Sequence, residues 1–368
     1  MPPEPTTIVY KRVQDVELYI DVYPPEAGAQ DSAPAPAIVY FHGGGLTVGD
    51  RTSWFPQWLY ERAARAGIAF ISADYRLLPS STGHDILADV VDLFAFLASG
   101  DLSASGCSVD AQRLVAVGTS AGGYCCFLAA MHATPQPAAI LSLYGLGGDF
   151  LTPYFLTPKD KPFFLGRELL DPADFAPLMH PACHALPPVG GSPLTYHGPD
   201  SPTPGYPSNP RMQLTRVYLQ EGTCLDYIAG AHAPSLSAAL RPLVVPEQPL
   251  TDAERAGDLA AGRTARAEKV ARLRAALPER VHALFPQLRV TRAWPRVFFA
   301  HGEADSAVHV QDAVHLCGLL RDAGVRAELR VVPGEEHSFD YQKGAEEKFG
   351  GGGLFDEAFG FVTEAVGV

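Results

Sequence analysis

The stretch VGTSAGGY, residues 117–124, places one serine hydroxyl among small residues. An apolar run at 114–117 precedes Ser120, and a second apolar stretch with a helical pattern follows it. Small residues at Gly118 and Gly122 allow a tight turn from strand to helix, with Ser120 at its tip in a strained backbone. The pentapeptide fits the G-x-S-x-G pattern, which exposes a serine at the end of a strand. On this pentapeptide alone, an ordinary serine at a glycine-rich helix start remains an alternative.

Short apolar runs alternate with helical patterns on both sides of that stretch. Alternating apolar and polar residues at 8–13 and 18–23 predict an antiparallel pair of strands. Continuous apolar runs predict strands covered on both faces at 37–41, 68–73, 114–117, 138–143, 296–300 and 327–332. Helical patterns follow them near 54–66, 85–98, 121–132, 310–323 and 356–366. This order predicts an α/β protein with a mostly parallel central sheet and helices on both faces.

The alternation stops between residues 146 and 292. Residues 152–210 are rich in Pro, Gly, Ser and His, and residues 251–285 are rich in Ala, Arg and Glu with a helical pattern. Structureless loops of that length are rare in compact domains. We therefore predict one catalytic domain from residues 1–145 and 293–368, with 146–292 as a large, mainly helical insertion.

Composition excludes several classes of protein. The 368-residue chain is 47% apolar, enough for a large core, and its net charge of −13 without a basic run argues against a nucleic-acid partner. No apolar run approaches the roughly 20 residues of a membrane helix, and the N-terminus lacks the layout of a signal peptide. The six cysteines have no paired spacing, so we expect reduced thiols and a cytoplasmic location. Homodimer formation is left open.

A run of glycines follows the predicted strand at 37–41. His42-Gly43-Gly44-Gly45 leaves backbone N–H groups unshielded where a substrate oxygen can approach, as in HGGG-type loops that stabilise an oxyanion. We assign the oxyanion hole to the N–H groups of Gly43, Gly44 and Ala121, and a structural role to the His42 ring. A phosphate cradle would require a following GK[ST], which the sequence lacks.

A serine nucleophile needs a general base and a group that orients the base. Asp305 lies five residues after the predicted strand 296–300, and His337 lies five residues after the strand 327–332. Both loops leave the carboxyl ends of strands, as the turn with Ser120 does, and sites form at that edge of a parallel sheet. The sequence thus predicts a triad with His337 as base and Asp305 as its partner.

Rival residues lie near the same strand ends. Glu303 is an alternative acid, and His301 and Asp340 are alternative members of the site. Asp340 fits better as a hydrogen-bond partner of the loop that carries His337.

Five motifs together resemble the hormone-sensitive-lipase-like branch of the α/β-hydrolases, which are serine esterases. They are HGGG at 42–45, DYRLLP at 74–79, GTSAGG at 118–123, HGEAD at 301–305 and EEHSF at 335–339. The resemblance covers roughly residues 8–145 and 293–368. It implies ester hydrolysis through an acyl-enzyme, no metal or organic cofactor, a cap over the acyl pocket, and a role for Asp74 in bracing the oxyanion loop.

Two positions depart from the pattern of that family. Thr119 stands where relatives usually carry Asp, which alters hydrogen bonds behind the nucleophile and removes no catalytic group. Gly45 stands where some relatives carry a bulky aromatic residue, so the resemblance implies room near the reacting carbonyl. Because the first strand is predicted near residue 8, the cap is expected to come mainly from residues 146–292.

Side chains of the insertion allow further interpretations. Adjacent Cys and His side chains do not easily reach one ion and no second cysteine pair follows, so we expect no metal site among His180, Cys183, His184 and His197. Four aromatic residues either line an acyl pocket or attach the cap to the main domain: Tyr154, Phe155, Phe163 and Phe164. Trp54 is a candidate for the pocket entrance.

Taken together, these features predict a serine carboxylesterase for short- to medium-chain esters of small molecules. The same groups would serve a hydrolase or acyltransferase acting on an acetylated metabolite, a lactone or an aryl formamide, so these stay alternatives. A non-catalytic ligand-binding relative is a more distant alternative, because such proteins typically lose the serine or the histidine of the triad.

Overall fold

A computed structural model describes residues 4–26, 33–99 and 102–368, so the first three residues of the N-terminal stretch lie outside the described part. Eight strands form one sheet: β1 (Thr6–Val13), β2 (Val16–Tyr23), β3 (Ala35–Phe41), β4 (Ala69–Ala73), β5 (Val109–Thr119), β6 (Ala139–Leu143), β7 (Arg296–Gly302) and β8 (Ala327–Val332). Their order across the sheet is β1-β2-β4-β3-β5-β6-β7-β8. The pairs β1–β2 and β2–β4 are antiparallel and the other pairs are parallel. The predicted α/β architecture is confirmed.

Helices cover both faces of this sheet. In chain order the α-helices of the described residues are α1 (Gln57–Arg65), α2 (Gly83–Ser99), α3 (Ala121–His132), α4 (Pro153–Leu156), α5 (Arg211–Gln220), α6 (Cys224–Ala229), α7 (Leu236–Leu240), α8 (Asp252–Arg255), α9 (Arg263–Ala276), α10 (Gln311–Asp322), α11 (Ala345–Phe349) and α12 (Leu354–Val366). Alternate residues of a strand point to opposite faces. Accordingly, Val39 and Phe41 of β3 belong to the hydrophobic cluster that includes residues of α2, α3 and α10, while Ile38 and Tyr40 belong to the cluster that includes residues of α1 and α12.

Most predicted elements agree with the structure to within two residues, and two differ by more. β5 begins at Val109 rather than at residue 114, because its first half is polar and pairs only at Ala35. α1 begins at Gln57 rather than near residue 54, because Trp54 has a left-handed φ of 48° and Pro56 directly precedes the helix. Both differences arise where chain geometry, and not an apolar pattern, sets the boundary.

The segment 146–292 consists of helices of four to fourteen residues, and its later part, with α9, packs against α10. Between α4 and β7 it also contains 3₁₀ turns at Pro172–Leu178, Ala182–Ala185, Arg241–Leu243, Glu279–Leu284 and Pro286–Leu288. We call this segment the cap. Its helix α5 contacts the glycine loop, since the Thr215 hydroxyl donates to the carbonyl oxygen of Gly45 at 2.6 Å. The cap thereby closes the side of the molecule where the predicted site lies.

No helix in the described ranges is long and apolar enough to cross a membrane. All six cysteines are unpaired, and all but Cys107 are buried. Burial raises the pKa of the adjacent Cys125 and Cys126 thiols well above its usual range. These two thiols therefore stay protonated and act as packing residues of α3.

Candidate active site

The turn between β5 and α3 holds Ser120 in a strained conformation. Its backbone angles are φ 52° and ψ −120°, a conformation that residues other than glycine rarely adopt. The turn is this tight because both neighbouring glycines lack a Cβ. A Cβ on Gly118 would lie 2.2 Å from the backbone of Gly122, and one on Gly122 would lie 2.0 Å from the carbonyl oxygen of Phe41. Ser120 is thus exposed to the cavity above the sheet edge.

Three side chains from three loops form one hydrogen-bonded line. His337 Nε2 lies 3.0 Å from Ser120 Oγ, and His337 Nδ1 lies 2.7 Å from Asp305 Oδ2. The second oxygen of Asp305 accepts the backbone N–H groups of Ala307 and Val308 at 2.9 and 2.8 Å. An ionised Asp305 only accepts hydrogen bonds, so Nδ1 carries the proton and Nε2 is left to accept from the serine hydroxyl. The structure brings together the three residues that the sequence predicted as a triad.

The charge of Asp305 is fixed by two histidines. Burial raises the pKa of this carboxyl, but the attraction and hydrogen bonds of His337 and His301 outweigh burial and leave the pKa below its usual range. His301 Nε2 lies 3.3 Å from Asp305 Oδ2, so it contacts the acid and not the serine. The alternative acid Glu303 points away and pairs with Arg255 at 2.6 Å.

Asp340 supports His337 through a tyrosine. Its two oxygens accept from the Tyr144 hydroxyl at 2.5 Å and from Trp58 Nε1 at 3.3 Å. The Tyr144 ring meets the His337 ring edge-on, with centroids 4.7 Å apart. The sequence predicted a bond from Asp340 to the loop of His337, whereas these contacts reach the imidazole ring itself by way of Tyr144. Burial raises the pKa of Asp340 to about 6.

Backbone N–H groups face the serine from two sides. Gly44 has φ +98°, and a Cβ there would lie 2.0 Å from the carbonyl oxygen of Val48, so the loop requires glycine at this position. Gly43, Gly44 and Ala121 line the cavity with Ser120. Within the described part of the chain, none of these three N–H groups donates to another residue. They are therefore available to a ligand oxygen near Ser120.

The His42 ring is a fixed part of the glycine loop. Its Nδ1 donates to the carbonyl oxygen of Gly43 at 2.8 Å, and the ring stacks on Tyr75 with centroids 4.4 Å apart. Complete burial lowers the pKa of His42 to about 4, because the charged ring would lose its hydration. The ring is therefore neutral at pH 7 and does not contact Ser120.

Residues behind the loop have divided tasks. Tyr75 braces the glycine loop directly, since its hydroxyl donates to the carbonyl oxygen of His42 at 2.8 Å. Asp74 instead accepts the backbone N–H of Arg51 at 2.8 Å and so fixes the chain that follows the loop. Thr119 Oγ1 lies 2.8 Å from the buried Tyr40 hydroxyl, so Thr119 forms a hydrogen bond behind the nucleophile.

The room expected at Gly45 is occupied by the cap. A Cβ on Gly45 would lie 2.2 Å from Thr215 Oγ1, and φ is +62°. The expectation of open space beside the carbonyl at this position was therefore wrong. No pattern in the sequence marks Thr215, because the contact joins residues 170 positions apart.

A cavity of about 800 Å³ extends from Ser120 into the cap. Its apolar walls include Trp54, Leu146, Phe155, Phe164, Tyr218 and Leu219. Of the four aromatic residues weighed above, Phe155 and Phe164 line the cavity. Tyr154 attaches the cap to the main domain, because its hydroxyl donates to the carbonyl oxygen of Ala307 at 2.8 Å, and Phe163 packs against the Tyr154 ring. Two of the four aromatic residues thus line the cavity, and the other two attach the cap to the main domain.

Three histidines gather in the cap outside this cavity. One nitrogen each of His180, His184 and His232 lies within 4.8 Å of the others, with His180 Nδ1 2.9 Å from His184 Nε2. The rings of His180 and His232 are stacked in parallel, with an interplanar angle of 2°. An ion bound by an imidazole lies in the ring plane, so these two rings reach one ion only if one of them turns. The other two residues weighed as metal ligands, Cys183 and His197, are not part of this group.

Comparison with known proteins agrees with the fold described above. An esterase of Thermogutta terrifontis superposes with a TM-score of 0.56 at 20% identity, over 98% of this chain and 92% of the other. A family model described as the alpha/beta hydrolase fold matches residues 38–182, which include the glycine loop and Ser120. The chain has the α/β-hydrolase fold. The model of the prolyl oligopeptidase family matches residues 271–350 of this chain, which include Asp305 and His337.

Two curated relatives differ in extent. The probable carboxylesterase M8 of a Phoma species is 37% identical over 145 residues, which are 37% of this α/β-hydrolase and 45% of that protein. The non-reducing polyketide synthase ausA of Aspergillus calidoustus is 28% identical over 353 residues, or 91% of this chain. The chain spans only 13% of the length of that synthase.

Proposed function

We propose that the protein hydrolyses carboxylic esters of small molecules through an acyl-enzyme on Ser120. The observation that carries the proposal is the hydrogen-bonded line from Ser120 through His337 to Asp305, next to N–H groups that have no other partner. The likeness to a probable carboxylesterase supports the same reaction class.

The reaction proceeds in two halves. Ser120 Oγ attacks the ester carbonyl while its proton passes to His337 Nε2, and the oxyanion accepts the N–H groups of Gly43, Gly44 and Ala121. The intermediate collapses to the acyl-enzyme as His337 donates that proton to the leaving alkoxide. A water molecule then gives a proton to His337 and attacks the acyl carbon. The second intermediate breaks its bond to Ser120 Oγ as His337 returns that proton to Oγ, which releases the acid and restores the serine hydroxyl. Loss of one oxyanion donor typically lowers the rate about 100- to 1000-fold.

The size of the cavity supports an acyl group of more than a few carbons. Cavities of about 300–1000 Å³ enclose drug-sized ligands, and this one measures about 800 Å³. Medium-length esters are therefore expected to use the apolar walls better than acetyl esters. Acyl transfer to an alcohol, lactone opening and aryl formamide cleavage use the same residues and remain alternatives.

A second candidate substrate follows from the polyketide synthase relatives. Because such synthases align with 91% of this chain, an acyl group of polyketide type is favoured, held as an oxygen ester or as a thioester. The attack of Ser120 is the same in either case. We also propose a cytoplasmic location, which the six unpaired cysteines support.

The test is hydrolysis of p-nitrophenyl esters from acetyl to palmitoyl, with thioesters of the same acyl groups and Ser120→Ala as the matched control. We expect a maximum at medium chain length and loss of activity in Ser120→Ala. Activity that survives in Ser120→Ala would refute the mechanism. Cleavage of thioesters in preference to oxygen esters would favour the second candidate.

A further inference from the structure

The cap end of the catalytic cavity contains a buried guanidinium without a counter-ion. Arg216 of α5 lines the cavity and is only 6% exposed. Its Nε–H has no hydrogen-bond partner among the described residues, and one terminal nitrogen donates to the carbonyl oxygen of Glu168 at 3.0 Å. The Tyr206 hydroxyl is its other polar contact. A buried charge without a partner is strongly unfavourable, so this group calls for an explanation.

Two other cations of the cap show what a purely structural role requires. Lys159 and Arg211 are also largely buried, and backbone carbonyl oxygens surround both of them. Lys159 Nζ donates to those of Tyr154, Thr157 and Leu219, and Arg211 donates to those of Thr47, Leu78 and Pro79. Neither cation lines the cavity. Arg216 alone of the three combines an unused donor with a position on the cavity wall.

The charge around Arg216 is positive in spite of the acidic composition of the chain. Arg167 lines the same end of the cavity and lies close enough to repel the Arg216 charge. Glu168 contributes the one carboxylate of this wall, but its backbone and not its carboxylate contacts Arg216. Neither arginine forms an ion pair within the described residues. An anion in the cavity would therefore meet two guanidinium groups and one carboxylate.

We propose that Arg216 binds a carboxylate of the substrate, at the end of the acyl group remote from the ester bond. The inference rests on the proposed function, because Ser120 and Arg216 line the same cavity. A guanidinium presents parallel N–H donors that match the two oxygens of a carboxylate. The substrate class is therefore a half-ester of a dicarboxylic acid, with an apolar body along Phe155 and Tyr218.

A matched series of substrates tests this inference. The mono-p-nitrophenyl esters of adipic, suberic and sebacic acids are compared with p-nitrophenyl hexanoate, octanoate and decanoate, which have the same carbon numbers and end in a methyl group. We expect a higher kcat/KM for at least one half-ester, mainly through a lower KM. In Arg216→Gln the ratio of half-ester to neutral ester falls about 10- to 100-fold, the range of a charged hydrogen bond.

Three further variants exclude indirect explanations. Arg216→Lys keeps part of the preference, because it keeps the positive charge and loses the parallel N–H donors of the guanidinium. Arg167→Gln lowers the preference less than Arg216→Gln does. Because Arg167 is exposed, water can take its place as a hydrogen-bond donor to the substrate carboxylate. Arg272→Gln removes one exposed charge from the cap outside the cavity and leaves the ratio as in the wild type.

The outcomes separate this inference from the proposed function. A wild type that cleaves neutral esters without preferring any half-ester overturns the inference alone, as does a preference that survives Arg216→Gln. If no ester is cleaved, the proposed function fails, and calorimetric titration of Ser120→Ala with monomethyl and dimethyl suberate decides the inference. Tighter binding of the monomethyl ester, lost on adding Arg216→Gln, supports the carboxylate site. Equal binding of the two overturns it.

Discussion

Buried ionisable side chains have different hydrogen-bond partners at the carboxyl edge of the sheet, where Ser120 lies, and in the cap. At the edge, Asp305 meets His337, and Asp340 meets Tyr144. In the cap, Lys159 meets only carbonyl oxygens, and Arg216 keeps one donor unused. Asp305 and Asp340 thus have their partners before a ligand arrives, whereas Arg216 of the cap leaves hydrogen-bonding capacity for one. On the function proposed above, the first region would carry the reaction and the second would select the substrate.

The largest expected effect is at the base of the triad. His337→Gln should lower kcat for a p-nitrophenyl ester about 10⁵- to 10⁶-fold, because no other group near Ser120 can take its proton. Residues that act as one unit are not additive, so Ser120→Ala combined with His337→Gln should be no slower than either single variant. A double variant that loses a further large factor would show that the two side chains act separately. Unchanged thermal unfolding is the control.

Removal of the charge on the acid should have the next largest effect. Asp305→Asn should lower kcat about 10⁴-fold, because the amide favours the wrong tautomer of His337. Glu303→Gln is the matched control, since its carboxylate pairs with Arg255 outside the line, and its kcat should stay within about twofold. The reverse pattern, with Glu303→Gln the slow variant, would assign the acid to Glu303.

Acid stability tests the buried loop beside the edge. The pKa of His42 is lowered to about 4 in the folded chain, so the folded state binds fewer protons than the unfolded state below about pH 6.5. Above that pH the neutral His42 ring does not reduce the free energy of unfolding. As the pH falls from 6.5 towards 4, the free energy of unfolding decreases, because the unfolded chain binds a proton at His42 and the folded chain does not. His42→Asn, whose amide can still donate to Gly43, should lose about 2 kcal/mol less unfolding free energy than the wild type between pH 7 and pH 5. Urea unfolding at the two pH values measures this difference, and equal losses would contradict it.

The smallest effect should come from the contact that joins the two regions. Thr215→Val keeps the shape of the side chain and removes the hydroxyl that donates to Gly45. We expect kcat/KM to fall about threefold to tenfold, in keeping with one neutral hydrogen bond of about 1 kcal/mol. Steady-state kinetics on a neutral ester measures it. A fall as large as that of Asp305→Asn would mean that the cap takes part in the chemistry itself.

The same division explains how far the sequence could be interpreted. The strands of the sheet are short apolar runs, and the residues of the candidate site follow their carboxyl ends. Order and spacing therefore predicted Ser120, Asp305 and His337 as neighbours, with Glu303 as an alternative acid, and the structure brings the three together. Their geometry also depends on close backbone contacts that only glycine permits. At Gly122, for example, a Cβ would lie 2.0 Å from the carbonyl oxygen of Phe41.

The cap offered no comparable pattern. Apart from α5 and α9, its 3₁₀ turns and helices have seven residues or fewer, too few to show a clear period. Arg216 has no motif around it, and its importance depends on burial and on the absence of a partner, which are properties of the folded chain. Thr215 is significant only because a residue far away in sequence is glycine.

Helix α5 carries neighbouring residues with different tasks: Thr215 touches the glycine loop, and Arg216 faces the cavity. A helix of ten residues is stiff over this distance, so whatever fixes one of these side chains restricts the other. On the proposed function, a ligand that immobilises Arg216 would thereby also restrain the loop whose N–H groups face Ser120. Most of the affinity for the far end of the acyl group would lower KM, and a smaller part would raise kcat, so that a shortened substrate would lose some rate as well as binding.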